Sequence, residues 1–224
     1  MEPDSDGREQ DMRRRAALVL AAATGLVAVT AAAAAIVEGT PGDDRLRGTQ
    51  NADIIKAFAG NDVVNARAGN DLVRAGAGDD VVHAANGSDT TFGGTGSDRL
   101  SSGNDDDVAW AGSGNDVVWG GPGPDELHGG TGDDRIHGGP GDDRIWVGPG
   151  SDVEWGGYGD DTLHALAADG QPDTLHCGPG RDTAKVRQSE RASTTFTGCE
   201  TIVVVVMPSA EDEAAEADRD ADAD

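Results

Sequence analysis

The 224 residues carry 42 acidic side chains against 17 basic ones, a formal charge of −25 at neutral pH, and that balance excludes nucleic acid or an anionic membrane surface as a direct partner, since both require a basic face. Glycine accounts for 34 positions while aromatic residues make up only 4 %. So little bulky apolar matter leaves room for a thin core and no thick one.

In chain order, Arg13, Arg14 and Arg15 come first and precede an alanine, leucine and valine run from Ala16 to Val37. The run ends in small residues compatible with A-x-A cleavage near Ala35, so residues 1–35 read as an export signal peptide. The alternative is an uncleaved anchor, because about twenty apolar residues can span a bilayer.

From Gly39 to His164 the chain divides without a gap into fourteen nonapeptides of the form G-G-x-G-x-D-x-U-x, where U is apolar. GGTGDDRIH (Gly129 to His137) and GGPGDDRIW (Gly138 to Trp146) are the clearest. After a three-residue insertion, Ala165 to Ala167, two more units end at Lys185, so the repeats occupy residues 39–185. Position six is aspartate in all sixteen: Asp44, Asp53, Asp62, Asp71, Asp80, Asp89, Asp98, Asp107, Asp116, Asp125, Asp134, Asp143, Asp152, Asp161, Asp173 and Asp182. The x-U-x triplet has the period of a strand with one side chain inward, and its apolar residues, from Leu46 to Leu175, predict the core. The six preceding positions predict a turn, with glycine at places where the backbone must take positive φ or approach a ligand.

Stacked turns lie about 4.8 Å apart, and at that distance two carboxylates repel by about 0.9 kcal/mol even at the dielectric of water. Repeated a dozen times, this rivals the whole stability of a domain. A cation between the aspartates is therefore expected. The donors on offer are carboxylate and main-chain carbonyl oxygens, which suit calcium. Magnesium insists on a near-ideal octahedron and keeps its water, and the loops hold no thiolate or clustered imidazole for zinc or copper.

Beyond the repeats, Arg187 to Thr197 is polar and reads as loop, and Thr201 to Met207 as an apolar strand that caps the roll, so residues 186–208 form a cap. The two cysteines, Cys177 and Cys199, read as one disulfide in an exported chain; the alternative is a pair of free buried thiols. Residues 209–224 are acidic, without apolar content, and are expected to be disordered.

The nonapeptides resemble the RTX, or hemolysin-type, calcium-binding repeats of secreted bacterial proteins. The resemblance implies an all-β chain wound as a right-handed parallel β-roll, two units per turn, with several calcium ions held between loops one turn apart. Asp98 would then share an ion with the loop of Asp116, and Asp125 with that of Asp143. The carbonyls of Gly94, Gly96, Gly121, Gly123, Gly130, Gly132, Gly139, Gly141, Gly157 and Gly159 would complete the shells. Departures from the pattern are Asn51, Asp105 and Gln171 at position four, Phe58 and Arg67 at position two, and Glu154 at position eight. Glu154 reads either as a local kink or as a charge paired inside.

Position nine contains all four tryptophans, Trp110, Trp119, Trp146 and Trp155, and all five histidines. With two units per turn they fall into two ladders, Trp110–His128–Trp146–His164 and Trp119–His137–Trp155–His176. Such rows stabilise neighbouring strands; the tryptophans are also a candidate ligand surface for a glycan or a protein partner. No nucleophile, acid–base pair or H-E-x-x-H motif accompanies them, so no enzymatic activity is expected. The sequence thus reads as an exported calcium-binding protein whose roll folds on binding its ions, with a cell-surface adhesion or carbohydrate-binding module as the alternative.

Overall fold

The computed structural model describes residues 27–28, 34–167 and 169–206. Every regular element in it is a β-strand, and the strands alternate between two ten-stranded sheets, so that each one pairs with the strand two places on in sequence. All pairings are parallel. Partners are offset by 18 residues through the regular repeats, as in Trp110 opposite His128, and by 21 across the insertion, as in His164 opposite Lys185. Two nonapeptides therefore make one turn of a parallel β-roll, as the resemblance implies, and the extra residues of the insertion are absorbed within one turn without shifting the aspartates out of file. The run from Ala16 to Ala35 and the acidic tail lie largely or wholly outside the described residues; among those described, no helix is long and apolar enough to cross a membrane.

The strands are longer than the apolar triplet suggests. Half of them span six residues, such as Leu72–Ala77 and Val108–Ser113, so they run through positions seven, eight and nine and on into positions one to three of the next unit. Only positions four to six form the tight turn. Pleating points alternate residues inward, so two rows fill the interior. Position eight supplies Ile55, Leu100, Leu127, Ile136, Ile145 and Leu163, and position one supplies small residues, among them Ala57, Ala66, Ala75 and Ala111. Glycine or alanine at position one keeps the two sheets close where the strand starts to curve into its turn.

Two further expectations are corrected. Glu154 neither kinks its strand nor finds a partner: Val153–Tyr158 keeps its register, with Glu154 between Ile136 and Leu175, and both carboxyl oxygens are buried without a hydrogen-bond partner. The segment after Arg187 is only partly loop, because Thr195–Thr197 forms the last strand of one sheet. The expected apolar strand forms as Thr201–Val205, the last rung of the other sheet, paired with Thr183–Arg187, and Ile202, Val203 and Val204 stay exposed by more than a third. The roll also begins before the first nonapeptide, with Ile36–Glu38 laid against Ile54–Lys56 and Val37 in the core.

Candidate metal centre

The sixteen aspartates of position six form two files, one along each edge of the roll. All are buried. In each file the Oδ1 of one aspartate accepts the backbone N–H of the aspartate one turn earlier: Asp62 from Asp44 at 2.7 Å, Asp116 from Asp98 at 2.6 Å, Asp143 from Asp125 at 2.8 Å, and Asp152 from Asp134 at 2.7 Å. One carboxylate oxygen thus stitches consecutive turns together. The other is left over. Oδ2 has no hydrogen-bond partner in Asp62, Asp71, Asp80, Asp89, Asp98, Asp107, Asp116, Asp125, Asp134, Asp143, Asp152, Asp161 and Asp182. A buried acceptor in that state costs about 1–3 kcal/mol, more if charged, and it recurs along both edges.

Asp44 and Asp53 differ. Thr40 donates both its N–H (2.5 Å) and its hydroxyl (2.9 Å) to Asp44 Oδ2, and the Thr49 N–H donates to Asp53 Oδ2 at 2.5 Å. These are the two units with threonine at position two, and their turns are closed by hydrogen bonds.

The glycines explain why the turns stack so closely. At position two Gly94 has φ +111°, and a Cβ there would run into the carbonyl oxygen of Gly76 one turn before; at position four Gly96, φ +122°, would run into that of Gly78. Carbonyls of positions two and four therefore point along the roll toward the next turn. The same holds for Gly112 above Gly94, Gly121 above Gly103, Gly130 above Gly112, Gly139 above Gly121, Gly157 above Gly139 and, at position four, for Gly123, Gly132, Gly141 and Gly159. Outside the strands, the inter-turn bonds are made with carbonyls of positions one, three, six and nine, for example Gly96 N–H to Ser113 O and Val117 N–H to Asp98 O. Phe58, Arg67, Ala85 and Asp105 adopt the same positive φ without being glycine, at +81°, +92°, +95° and +80°, a strained choice for residues with a Cβ.

Electrostatics match this geometry. Burial pushes the carboxyls up from the usual 3.8, with help from neighbouring carboxylates and against the backbone N–H that each accepts. Asp98, Asp125, Asp134 and Asp152 rise to about 8. Asp62, Asp71, Asp107 and Asp143 rise to about 7, and Asp80, Asp89, Asp116, Asp161 and Asp173 to about 6. Each site holds negative charge poorly by itself and would hold it well beside a cation.

Among the described residues no three acidic, imidazole or thiolate side chains converge. An ion between turns must therefore take most of its shell from main-chain oxygen. Orphaned carboxylate oxygens beside carbonyls aimed between turns are an all-oxygen donor set, which fits calcium, with its six to eight oxygens in loose geometry. The fit holds at turn after turn.

Position five adds a second stitch that the variable residue types conceal. Asp43, Asn61, Asp79, Ser97, Asn115 and Asp133 each accept the backbone N–H of the position-five residue one turn later. Asp142 and Asp160 do the same on the other edge. Position six bonds backward and position five forward.

The position-nine ladders form as expected, and Phe92 extends the first. Phe92, Trp110, His128, Trp146 and His164 stack with centroids 4.6–5.1 Å apart, and Trp119, His137, Trp155 and His176 with centroids 4.1–6.2 Å apart. Interplanar angles of 24° or less mean that neighbouring rings cover one another's faces, so the inner members offer their edges outward. The histidines in each ladder are separated by tryptophan and form no metal cluster. The Cys177–Cys199 disulfide is formed, with Cα atoms 5.1 Å apart.

A search of the curated proteins found no match. The family profile described as RTX calcium-binding nonapeptide repeat matches overlapping stretches that together run from residue 38 to 184, and such repeats bind several calcium ions per domain. With its period, its roll and its files of buried aspartate, the chain belongs to the RTX calcium-binding nonapeptide repeat family.

Proposed function

We propose that this is an exported protein whose β-roll forms as it takes up a row of calcium ions along each edge, held by the position-six carboxylates from Asp62 to Asp182 and by the carbonyls of positions two and four. The observation that carries this reading is the set of thirteen buried carboxylate oxygens without a partner. Calcium supplies the positive charge they lack. Asp44 and Asp53, already satisfied by threonine, serve as the hydrogen-bonded start of the files. The residues themselves bring the turns into register through Oδ1, keep Cβ atoms out of the gap and bury the carboxyls away from competing water. Metal binding is then linked to folding, because no isolated turn holds a complete site. Extracellular calcium modules work at about 0.1–1 mM, so the chain would stay open in a cytosol and close outside, which supports export in the folding-incompetent state.

The test is a calcium titration followed by circular dichroism, starting from excess chelator at neutral pH. A cooperative gain of β signal is expected. Asp134→Ala and Asp143→Ala should raise its midpoint, while Asp218→Ala in the acidic tail should leave it in place. A full β spectrum in chelator, with a thermal transition unmoved by millimolar calcium, would overturn the proposal.

A further inference from the structure

The file of carboxylates that passes through Asp143, Asp161 and Asp182 does not stop at the last nonapeptide. Eighteen residues beyond Asp182 stands Glu200, and its Oε2 accepts the Asp182 backbone N–H at 2.8 Å. Asp182 makes the same bond to Asp161 at 2.8 Å, and Asp161 to Asp143 at 2.9 Å. Glu200 thus occupies the place of a position-six aspartate in a segment that has no nonapeptide. Thr197 still pairs with His176, and Thr201 with Thr183, but only Gly198, Cys199 and Glu200 cross between the two sheets. A crossing this short replaces six residues of an ordinary unit, and the additional methylene of glutamate lets it reach the N–H that aspartate reaches from a full turn.

The opposite edge ends differently. Asp173 is followed by Thr194, whose hydroxyl is bonded to the Glu190 carbonyl at 2.9 Å, and Thr195 continues the ladder to Asp173 O. No carboxylate succeeds Asp173 there in the file.

Two observations point to a ligand under Glu200. Asp182 is fully buried and its Oδ2 lacks a partner. Gly178, with φ +110°, lies against the crossing, where a Cβ on Gly198 would stand 3.2 Å from the Gly178 nitrogen and 3.3 Å from its oxygen. The disulfide joins Cys177, the residue before Gly178, to Cys199, the residue before Glu200, and so clamps both sides of the same gap.

We propose that Glu200, Asp182 and the carbonyls of the turn that begins at Gly178 form a terminal calcium site, and that the Cys177–Cys199 disulfide positions Glu200 to complete it. The site rests on the calcium reading above and extends it to a residue outside the repeats. It closes one edge of the roll with an ion at the end formed by the exposed apolar strand Thr201–Val205.

The experiment is equilibrium dialysis against calcium, with bound metal quantified by atomic emission, on the full chain. Glu200→Gln keeps the length and an oxygen that accepts the Asp182 N–H, so the crossing stays in place while its charge is lost. The variant should hold about one calcium fewer than the wild type, and Glu211→Gln, a charge control in the tail, none fewer. The Cys177→Ala/Cys199→Ala double variant, checked for retained β signal, should lose the same ion although Glu200 is intact. In the wild type, calcium should slow reduction of the disulfide by dithiothreitol; in Glu200→Gln it should not. Equal stoichiometry in wild type and Glu200→Gln would overturn the terminal site and leave the row of sites standing, an unchanged count in the cysteine variant would overturn the clamp, and no calcium uptake by any form would overturn the calcium reading itself.

Discussion

At the scale of single residues, the fold depends on what is kept out of it as much as on what it contains. Gly112 has φ +109° and no room for a Cβ beneath the Gly94 carbonyl, whereas Gly42 has nothing within 4 Å of the corresponding point. Gly112→Ala should therefore cost at least the 1–2 kcal/mol or so of a left-handed residue and raise the calcium midpoint, while Gly42→Ala should leave both stability and midpoint near wild type; denaturant melts in saturating calcium compare them. Glu154 is the opposite case, a polar group admitted to a row of isoleucine and leucine. Burial, with Asp173 and Asp152 nearby, pushes its carboxyl well above the usual range, and neither oxygen has a hydrogen-bond partner. Glu154→Leu should stabilise the calcium-bound roll by about 1–3 kcal/mol. A loss of stability on the same substitution would mean that the carboxyl has a structural partner.

At the scale of strands and turns, the spacing of nine made the aspartate files and the aromatic ladders legible from sequence, because both repeat one residue type at one position. Other elements were hidden for physical reasons. Positions one to three are rich in glycine, which has low strand propensity, yet they complete six-residue strands because the neighbouring turns supply every ladder partner. The position-five stitch was invisible because aspartate, asparagine and serine all supply the same acceptor. Phe92 was missed because it shares neither the tryptophan nor the histidine of its column, and Glu200 because a three-residue crossing breaks the period. The ladders themselves are separable from the metal. Trp146 lies 4.6 Å from both His128 and His164, and each such pair is worth about 0.5–1.5 kcal/mol beyond burial. Trp146→Ala should then cost on the order of 1–3 kcal/mol by two such pairs and leave the calcium count unchanged in equilibrium dialysis; a lost ion would place the ladder at the metal.

For the whole molecule, the raised carboxyls set how the metal-free roll responds to acid. Below about pH 4 the position-six carboxyls are protonated in folded and unfolded chains alike, and their contribution to stability is fully present. As the pH rises through about 6 to 8, the unfolded chain has already released protons that the folded chain retains, so stability falls. The β signal in chelator should therefore be largest near pH 4 and fall away toward pH 8, and a signal that climbs over that range would contradict the burial of these groups. Near neutrality the open chain has already lost the protons that the metal-free roll would retain, so calcium uptake there should release little acid, measurable by calorimetry in buffers of differing ionisation enthalpy. The constant offset of 18 residues has a consequence of another kind. Each turn touches only the turn before and the turn after, which makes the molecule a graduated rod that lengthens by about 4.8 Å for every eighteen residues inserted. Removing eighteen residues shortens the rod by one graduation and rejoins like with like, whereas removing nine exchanges the two faces beyond the cut, so that each aromatic ladder would be continued by residues of the other. Inheritance by whole graduations would leave such a chain free to vary in reach without any new design of its parts.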